Sequence, residues 1–171
     1  TDSTISVASA GKLWLNEATG SSIANSITNT GLVNFVQAGS LTVSGTISGT
    51  GSVIQSGAGA TTLTAANTYT GPTAVNQGSL VAGSSSAFGS NASMNIGGAA
   101  TLDLAGYSET IGSLSGFGIV SNSAGSITTL TIGTDGFSTQ FAGRIRDGSG
   151  GMSVIKTGKG TLVLSGLNDY T

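Results

Sequence analysis

Seven carboxylates and five Lys or Arg are all the charged side chains in this sequence, and it has no histidine and no cysteine. Without His, no Ser–His pair can form a nucleophile, and no Gly-x-Ser-x-Gly elbow is present. Without Cys, thiol nucleophiles and thiolate metal sites are excluded. General acid–base work on a β-sheet needs two or three carboxylates, or a Lys or Arg base, converging on one face. Here the carboxylates are scattered. Their only cluster is Arg144-Ile145-Arg146-Asp147, which is read as a solvated corner with Ile145 pointing in. Asp103 alternates with Leu102 and Leu104 and is read as an outward, solvating residue. Asp103, Asp135 and Asp147 are the carboxylates to test should any turnover be found.

Other ligand chemistry is equally thin. "TGKGT" (Thr157–Thr161) hints at a phosphate loop, but Gly160 follows Lys159 and no glycine lies five before Gly158. No Gly-x-Gly-x-x-Gly occurs, and "GGAATLD" (Gly97–Asp103) does not fit a calcium-binding nonapeptide. The net charge of −2, without a basic run, argues against nucleic acid. No apolar stretch approaches the ~20 residues of a membrane span, so direct membrane insertion is not expected. No signal peptide stands at the start, so one is read as absent or removed. Trp14, between Leu13 and Leu15, should point away from them and could bind a sugar or a partner. Packing on a neighbouring coil is the plainer reading. No catalytic, cofactor-binding or metal-binding residue is assigned.

The elements that would position such groups are strands. Of 171 residues 29 are Gly and 1 is Pro, and 7% are charged against a usual ~25%. Val, Ile, Leu and Thr are dense, which separates this chain from disordered sequences of similar bias. Apolar residues alternate in short bursts: Thr4–Ala8, Leu32–Val36, Leu41–Ser44, Thr101–Ala105, Thr129–Gly133 and Thr161–Ser165. Period two over four or five residues marks a strand with one buried face, and no helical stripe appears. The bursts recur: Leu41 to Leu63, Val53 to Val75 and Leu80 to Leu102 are 22 apart, and Ile132 to Ile155 is 23. A two-sheet sandwich fits the strand lengths but not this period, whereas a parallel β-solenoid fits both. Seven to eight coils are expected. Val53, Ile54, Leu63, Val154, Ile155, Leu162 and Leu164 are candidates for their buried faces, although adjacent residues cannot both point inward.

One phrase is written twice. "SVIQSGAGATTLTAANTYT" (Ser52–Thr70) lies over "SVIKTGKGTLVLSGLNDYT" (Ser153–Thr171) with 9 of 19 positions identical. Its 101-residue offset is read as close to five coils. Tyr69 and Tyr170 hold the same place in it and are read as corner residues. The two copies, near 49–82 and 148–171, resemble the passenger-associated transport repeat of bacterial autotransporters. Lys156 and Gln55 hold its Lys place, and Leu164-Ser165-Gly166 corresponds to Leu63-Thr64-Ala65. Gly97–Gly133 resembles the coils such passengers carry between repeats. The resemblance covers most of Leu41–Thr171, and the first forty residues match only in texture.

That resemblance implies a right-handed parallel β-helix, secreted across two Gram-negative membranes by a C-terminal β-barrel and displayed on the cell surface. The expectation is one all-β segment over 1–171, a piece of a longer passenger. It would act as a stalk or adhesin, with self-association or a host or cell-surface ligand as partner. A pectin-lyase-like enzyme is the alternative, disfavoured by the sparse charge. An ice-binding solenoid is more remote, because Thr-x-Thr does not recur in register at each coil.

Overall fold

The computed structural model describes residues 3–171. Each short apolar burst becomes a strand, and each Gly/Ser/Asn cluster becomes a corner. Each strand pairs in parallel with a strand one coil away, and most with one on either side, giving a β-solenoid of about eight turns with no helix among the described residues; on one face the ladder is interrupted between Ser48 and Glu109.

Each coil has three faces. The first carries β1 (Ile5–Val7), β4 (Ile27–Asn29), β7 (Ile47–Ser48), β12 (Glu109–Ile111), β15 (Thr128–Ile132) and β18 (Met152–Lys156). The second carries β2 (Lys12–Leu15), β5 (Leu32–Phe35), β8 (Ser52–Gln55), β13 (Leu114–Gly116), β16 (Thr139–Phe141) and β19 (Leu162–Leu164). The third carries β3 (Ser21–Ile23), β6 (Leu41–Val43), β9 (Ala60–Leu63), β14 (Ile119–Asn122) and β17 (Arg144–Gly148). Two ten-residue strands, β10 (Thr73–Ala82) and β11 (Met94–Asp103), run across the second and third faces without a break. β10 bends between the two faces near Gly78, whose φ is +61° and where a Cβ would stand 2.1 Å from the carbonyl of Gly59. Only glycine tolerates both conditions.

Because side chains alternate across a strand, each face has inward and outward columns. On the second face Leu15, Phe35, Gln55, Val75 and Ile96 form one inward column. Leu164 continues it above Phe141. Val53 and Leu63 are fully buried as expected, whereas Val154, Leu162 and Leu164 pack against the core with one side still open. They belong to the last coil, on which no described strand stacks.

Two expectations shift. Ile54 stands outward between Asn34 and Ala74, and Ile155 is outward and 52% exposed. Ile54 points out because its neighbour Val53 points in, and for Ile155 the reason is register. After a first rung of 22 residues (Ile5 to Ile27), the early coils repeat at twenty, Leu41 over Thr61 and Val53 over Thr73, while later rungs vary from 18 (Thr101 to Ile119) to 26 (Asn122 to Gly148). The 22-residue pairs from Leu41 and Val53 therefore share a phase but not a rung. The 23-residue pair Ile132 and Ile155 falls on opposite sides, because Ile132 stacks on Lys156.

Candidate functional site

The duplicated phrase is a corner built for stacking. Its first glycines, Gly57 and Gly158, have no room for a Cβ. One would meet the carbonyl of Gln37 at 2.2 Å, the other that of Gly133 at 2.0 Å. Gly59 and Gly160 are equally tight, at 1.9 Å from the Gly39 carbonyl and 2.0 Å from that of Phe137. The long polar residue before each Gly-x-Gly donates to the carbonyls of that turn. Gln55 Nε2 bonds Gly57 and Gly59, and Lys156 Nζ bonds Thr157 and Gly158. The motif asparagine completes the previous coil. The backbone N–H of Ile47 donates to Asn67 Oδ1 at 2.7 Å, and that of Ile145 donates to Asn168 Oδ1 at 2.9 Å. Tyr69 is fully buried with its hydroxyl 3.1 Å from Thr73 Oγ1, and Tyr170 packs against the core. Both are structural, as the shared place suggested.

The two copies do not lie over one another. The first begins on the second face with β8, continues on the third with β9 and reaches the first at Asn67. The second begins on the first face with β18, continues on the second with β19 and reaches the third at Asp169. Their offset is therefore four and two-thirds turns, not the five coils the spacing suggested. The same residues do the same jobs at different corners, so the repeat specifies a local turn and not a side of the rod.

The outer surface divides by face. On the second, Trp14 points outward as expected and is 63% exposed, at one end of a column continuing through Asn34, Ile54, Ala74 and Asn95. Small Ala74 leaves an open depression of about 190 Å³ edged by Ser52, Ile54, Pro72, Ser93 and Asn95. On the third, one outward column carries Asp103, Ser121, Arg146 and Asp169 in successive coils. Arg144 pairs with Asp169 through Nε and Nη2, which donate to Oδ1 and Oδ2, with both side chains about half exposed, 49% and 50%. This pairing holds the Asp169 carboxyl below its usual range. On the first face, Thr28, Ser48 and Thr68 form an outward hydroxyl column over three coils; buried Phe88 takes the place in the next coil, and Thr110 and Thr131 follow it.

The carboxylates singled out in the sequence each hold a turn. Asp103 Oδ1 accepts the N–H groups of Ala105 and Ser123, Asp135 Oδ1 that of Phe137, and Asp147 those of Met152 and Thr171. Asp147 is also bonded by the Thr171 hydroxyl, which pulls its pKa down. Ile145 is buried between outward Arg144 and Arg146, as the alternation predicts. Among the described residues no three His, Cys, Asp or Glu gather closely enough to hold a metal ion.

Sequence reasoning missed Glu109. It is 2% exposed on an inward column with Leu130 and Val154. Its Oε1 accepts the N–H of Ala87 at 3.0 Å, and its Oε2 has no partner among the described residues. Burial pushes its pKa from 4.5 up to about 7. The signal was present, because Glu109 is two residues before buried Ile111 and therefore in phase with the core. Asn67, Ala87 and Glu109 together bridge the stretch of the first face between β7 and β12. There Ile47 donates to Asn67, Asn67 Nδ2 donates to the Ala87 carbonyl at 2.6 Å, and Ala87 donates to Glu109.

Comparison with known proteins agrees with this geometry. A family described as passenger-associated-transport-repeat matches residues 53–82 and 154–171, the two corners dissected above. The adhesin BmaC autotransporter of Brucella suis biovar 1 is 38% identical over 167 residues, covering 90% of this chain. The chain spans about 5% of that protein's length. No solved structure matches the chain.

Proposed function

We propose that this chain, a β-helical segment of an autotransporter passenger built on passenger-associated transport repeats, is an adhesive rod displayed on the surface of a Gram-negative bacterium. A C-terminal β-barrel of the full-length protein carries it across the outer membrane and anchors it there. Its work is to hold surfaces together, cell to cell or cell to host, and it turns over no substrate. The observation that carries this reading is the geometry of the outer faces. The core is filled by stacked side chains, the carboxylates are occupied in separate turns, and the surface offers columns of hydroxyls and amides in place of a cleft. The likeness to an adhesin passenger over 90% of the chain supports the same reading.

The test is display of the chain on a Gram-negative cell through a C-terminal barrel, with adhesion and aggregation compared against the barrel alone. Increased adhesion is expected, together with no new reducing or unsaturated ends when the purified chain meets acidic and neutral polysaccharides. Product formation abolished by Asp103→Asn or Asp147→Asn would overturn the reading.

A further inference from the structure

Between β10 and β11 the chain crosses the first face without forming a strand. Residues 83–93 make this crossing, where the ladder is interrupted between β7 and β12. Among the described residues, three hydrogen bonds tie the middle of this strap, residues 86–88, to its neighbours. From the previous coil the Asn67 N–H donates to the Ser86 carbonyl at 2.9 Å, and Asn67 Nδ2 to that of Ala87 at 2.6 Å. Toward the next coil the Ala87 N–H donates to Glu109 Oε1 at 3.0 Å. A carboxyl side chain thus stands where a regular rung would offer a backbone carbonyl. The ends of the strap are tied separately. Gly83 N–H donates to the Leu63 carbonyl and Ser84 Oγ to that of Ala65, while Thr134 Oγ1 and the Gly112 N–H hold the carbonyls of Ser90 and Ala92. Ala87 and Phe88 are fully buried, and Gly89, at φ +68°, leaves no room for a Cβ, which would stand 2.4 Å from the Tyr69 carbonyl.

Glu109 is badly placed to carry a charge. It is buried, and its Oε2 has no partner among the described residues. Leu130 pairs with it in the next coil and Ala87 faces it from the strap, and neither titrates. Tyr69 is the titratable group that feels the Glu109 charge, and burial keeps its hydroxyl protonated by pushing its pKa up. The one ion pair among the described residues, Arg144 with Asp169, lies on the third face, so no Lys or Arg neutralises Glu109. An ionised Glu109 must therefore be met by water. Water reaches it most cheaply by displacing the Ala87 N–H, because the strap is the stretch of this face that no ladder holds.

We infer that residues 83–93 are a pH-gated strap, closed over the first face while Glu109 is protonated and lifted from it when Glu109 ionises. The ties at Gly83, Ser84, Ser90 and Ala92 stay in place, so residues 85–89 move and Phe88 leaves the core. In acid the rod is sealed. Toward neutral and alkaline pH it presents the Phe88 ring, the freed Ala87 N–H and the space that Phe88 vacates. The direction follows from burial: the closed state holds the proton more tightly than the open one, so losing the proton favours opening. With a closed pKa of about 7 and an open one near the ordinary 4.5, the opening constant rises about 70-fold between pH 5 and pH 8. This device goes beyond the adhesive-rod reading and does not depend on it.

The experiment is native-state hydrogen exchange of the 171-residue chain, followed by NMR from pH 5 to pH 8 and corrected for the intrinsic pH dependence of amide exchange. The opening constant read at the Ala87 amide should rise about 70-fold across that range. It should hardly respond to low urea, because lifting one strap exposes little surface. The amides of β5 and β6, inside the continuous ladders, should open more rarely and with the urea dependence of global unfolding. Glu109→Gln should hold the Ala87 opening within about threefold over the same pH range, since no charge then forms. If that variant does not fold, the pH and urea dependence of the parent decide alone. An Ala87 opening that is flat with pH overturns the proposal. So does one that carries the full urea dependence of global unfolding, because the whole rod and not the strap would then be responding. An unchanged pH dependence in folded Glu109→Gln overturns it too, by assigning the titration to another group.

Discussion

The buried carboxyl of Glu109 makes the stability of this rod depend on pH in an unusual direction. Its pKa rises from 4.5 to about 7 because burial disfavours the charged form more than the N–H donor of Ala87 favours it. A folded pKa above the unfolded one means that the folded state holds the proton more tightly. The contribution is fully present below about pH 4.5, shrinks as the pH rises, and is lost once the pH passes about 7. The shift corresponds to about 3 kcal/mol at ~1.4 kcal/mol per pH unit. Glu109→Gln keeps an oxygen for the Ala87 N–H and removes the charge, but places an amide where Oε2 already lacks a partner. At pH 8 the variant should therefore gain about 1–3 kcal/mol over the parent, or ~2–10 °C in midpoint for a chain of this size. Urea unfolding of both proteins at pH 5 and pH 8 is the assay. The parent should be weaker at pH 8, and the variant should change much less between the two. A parent whose midpoint does not move, or a variant weaker than the parent at pH 8, would refute the reasoning.

Five further substitutions probe the packing. Leu63→Ala, at a fully buried site, should lower unfolding free energy by about 2–5 kcal/mol, and Leu164→Ala, on the open last coil, by clearly less; equal losses in denaturant titration would contradict the burial difference. Gly59→Ala should destabilise by at least about 1–3 kcal/mol, because the Gly39 carbonyl occupies the place of the new methyl. Gly125→Ala, with nothing within 4 Å of the new atom, should stay within ~0.5 kcal/mol in the same titration. Asn67→Ala should cost about 1–3 kcal/mol, because the buried N–H of Ile47 and carbonyl of Ala87 both lose their side-chain partner. Faster hydrogen exchange at Ile47 is the local readout.

The architecture was legible because a solenoid writes its physics locally. Alternation in Leu41–Ser44 or Thr161–Ser165 is enough to place a strand and its inward side, and Gly-x-Gly with a following Asn marks a corner. Global register was not legible, because it depends on coil length. The loops near Gly133–Ser138 and Gly148–Gly151 lengthen their coils, and a single odd offset turns Ile155 outward. The carboxylates near Arg144 could be judged individually as outward, but their work in holding turns depends on backbone N–H groups up to 24 residues away, as for Asp147 and Thr171. The hydroxyl column of the first face escaped for the same reason: Thr28, Ser48 and Thr68 form a column only once the twenty-residue rung is known.

Disulfide trapping in this cysteine-free chain tests the stacking, and the rotation of the second repeat, most directly. Outward residues in adjacent parallel strands sit ~4.8 Å apart, within reach of a disulfide. Thr131→Cys with Ile155→Cys should close readily on the first face, where those two residues are paired, and Gln140→Cys with Val163→Cys should close on the second. Gln140→Cys with Ile155→Cys should stay reduced, because the two lie on different faces. If that last pair closed and the Thr131 pair did not, the second repeat would occupy the same face as the first, and the three-faced register described for this chain would be wrong.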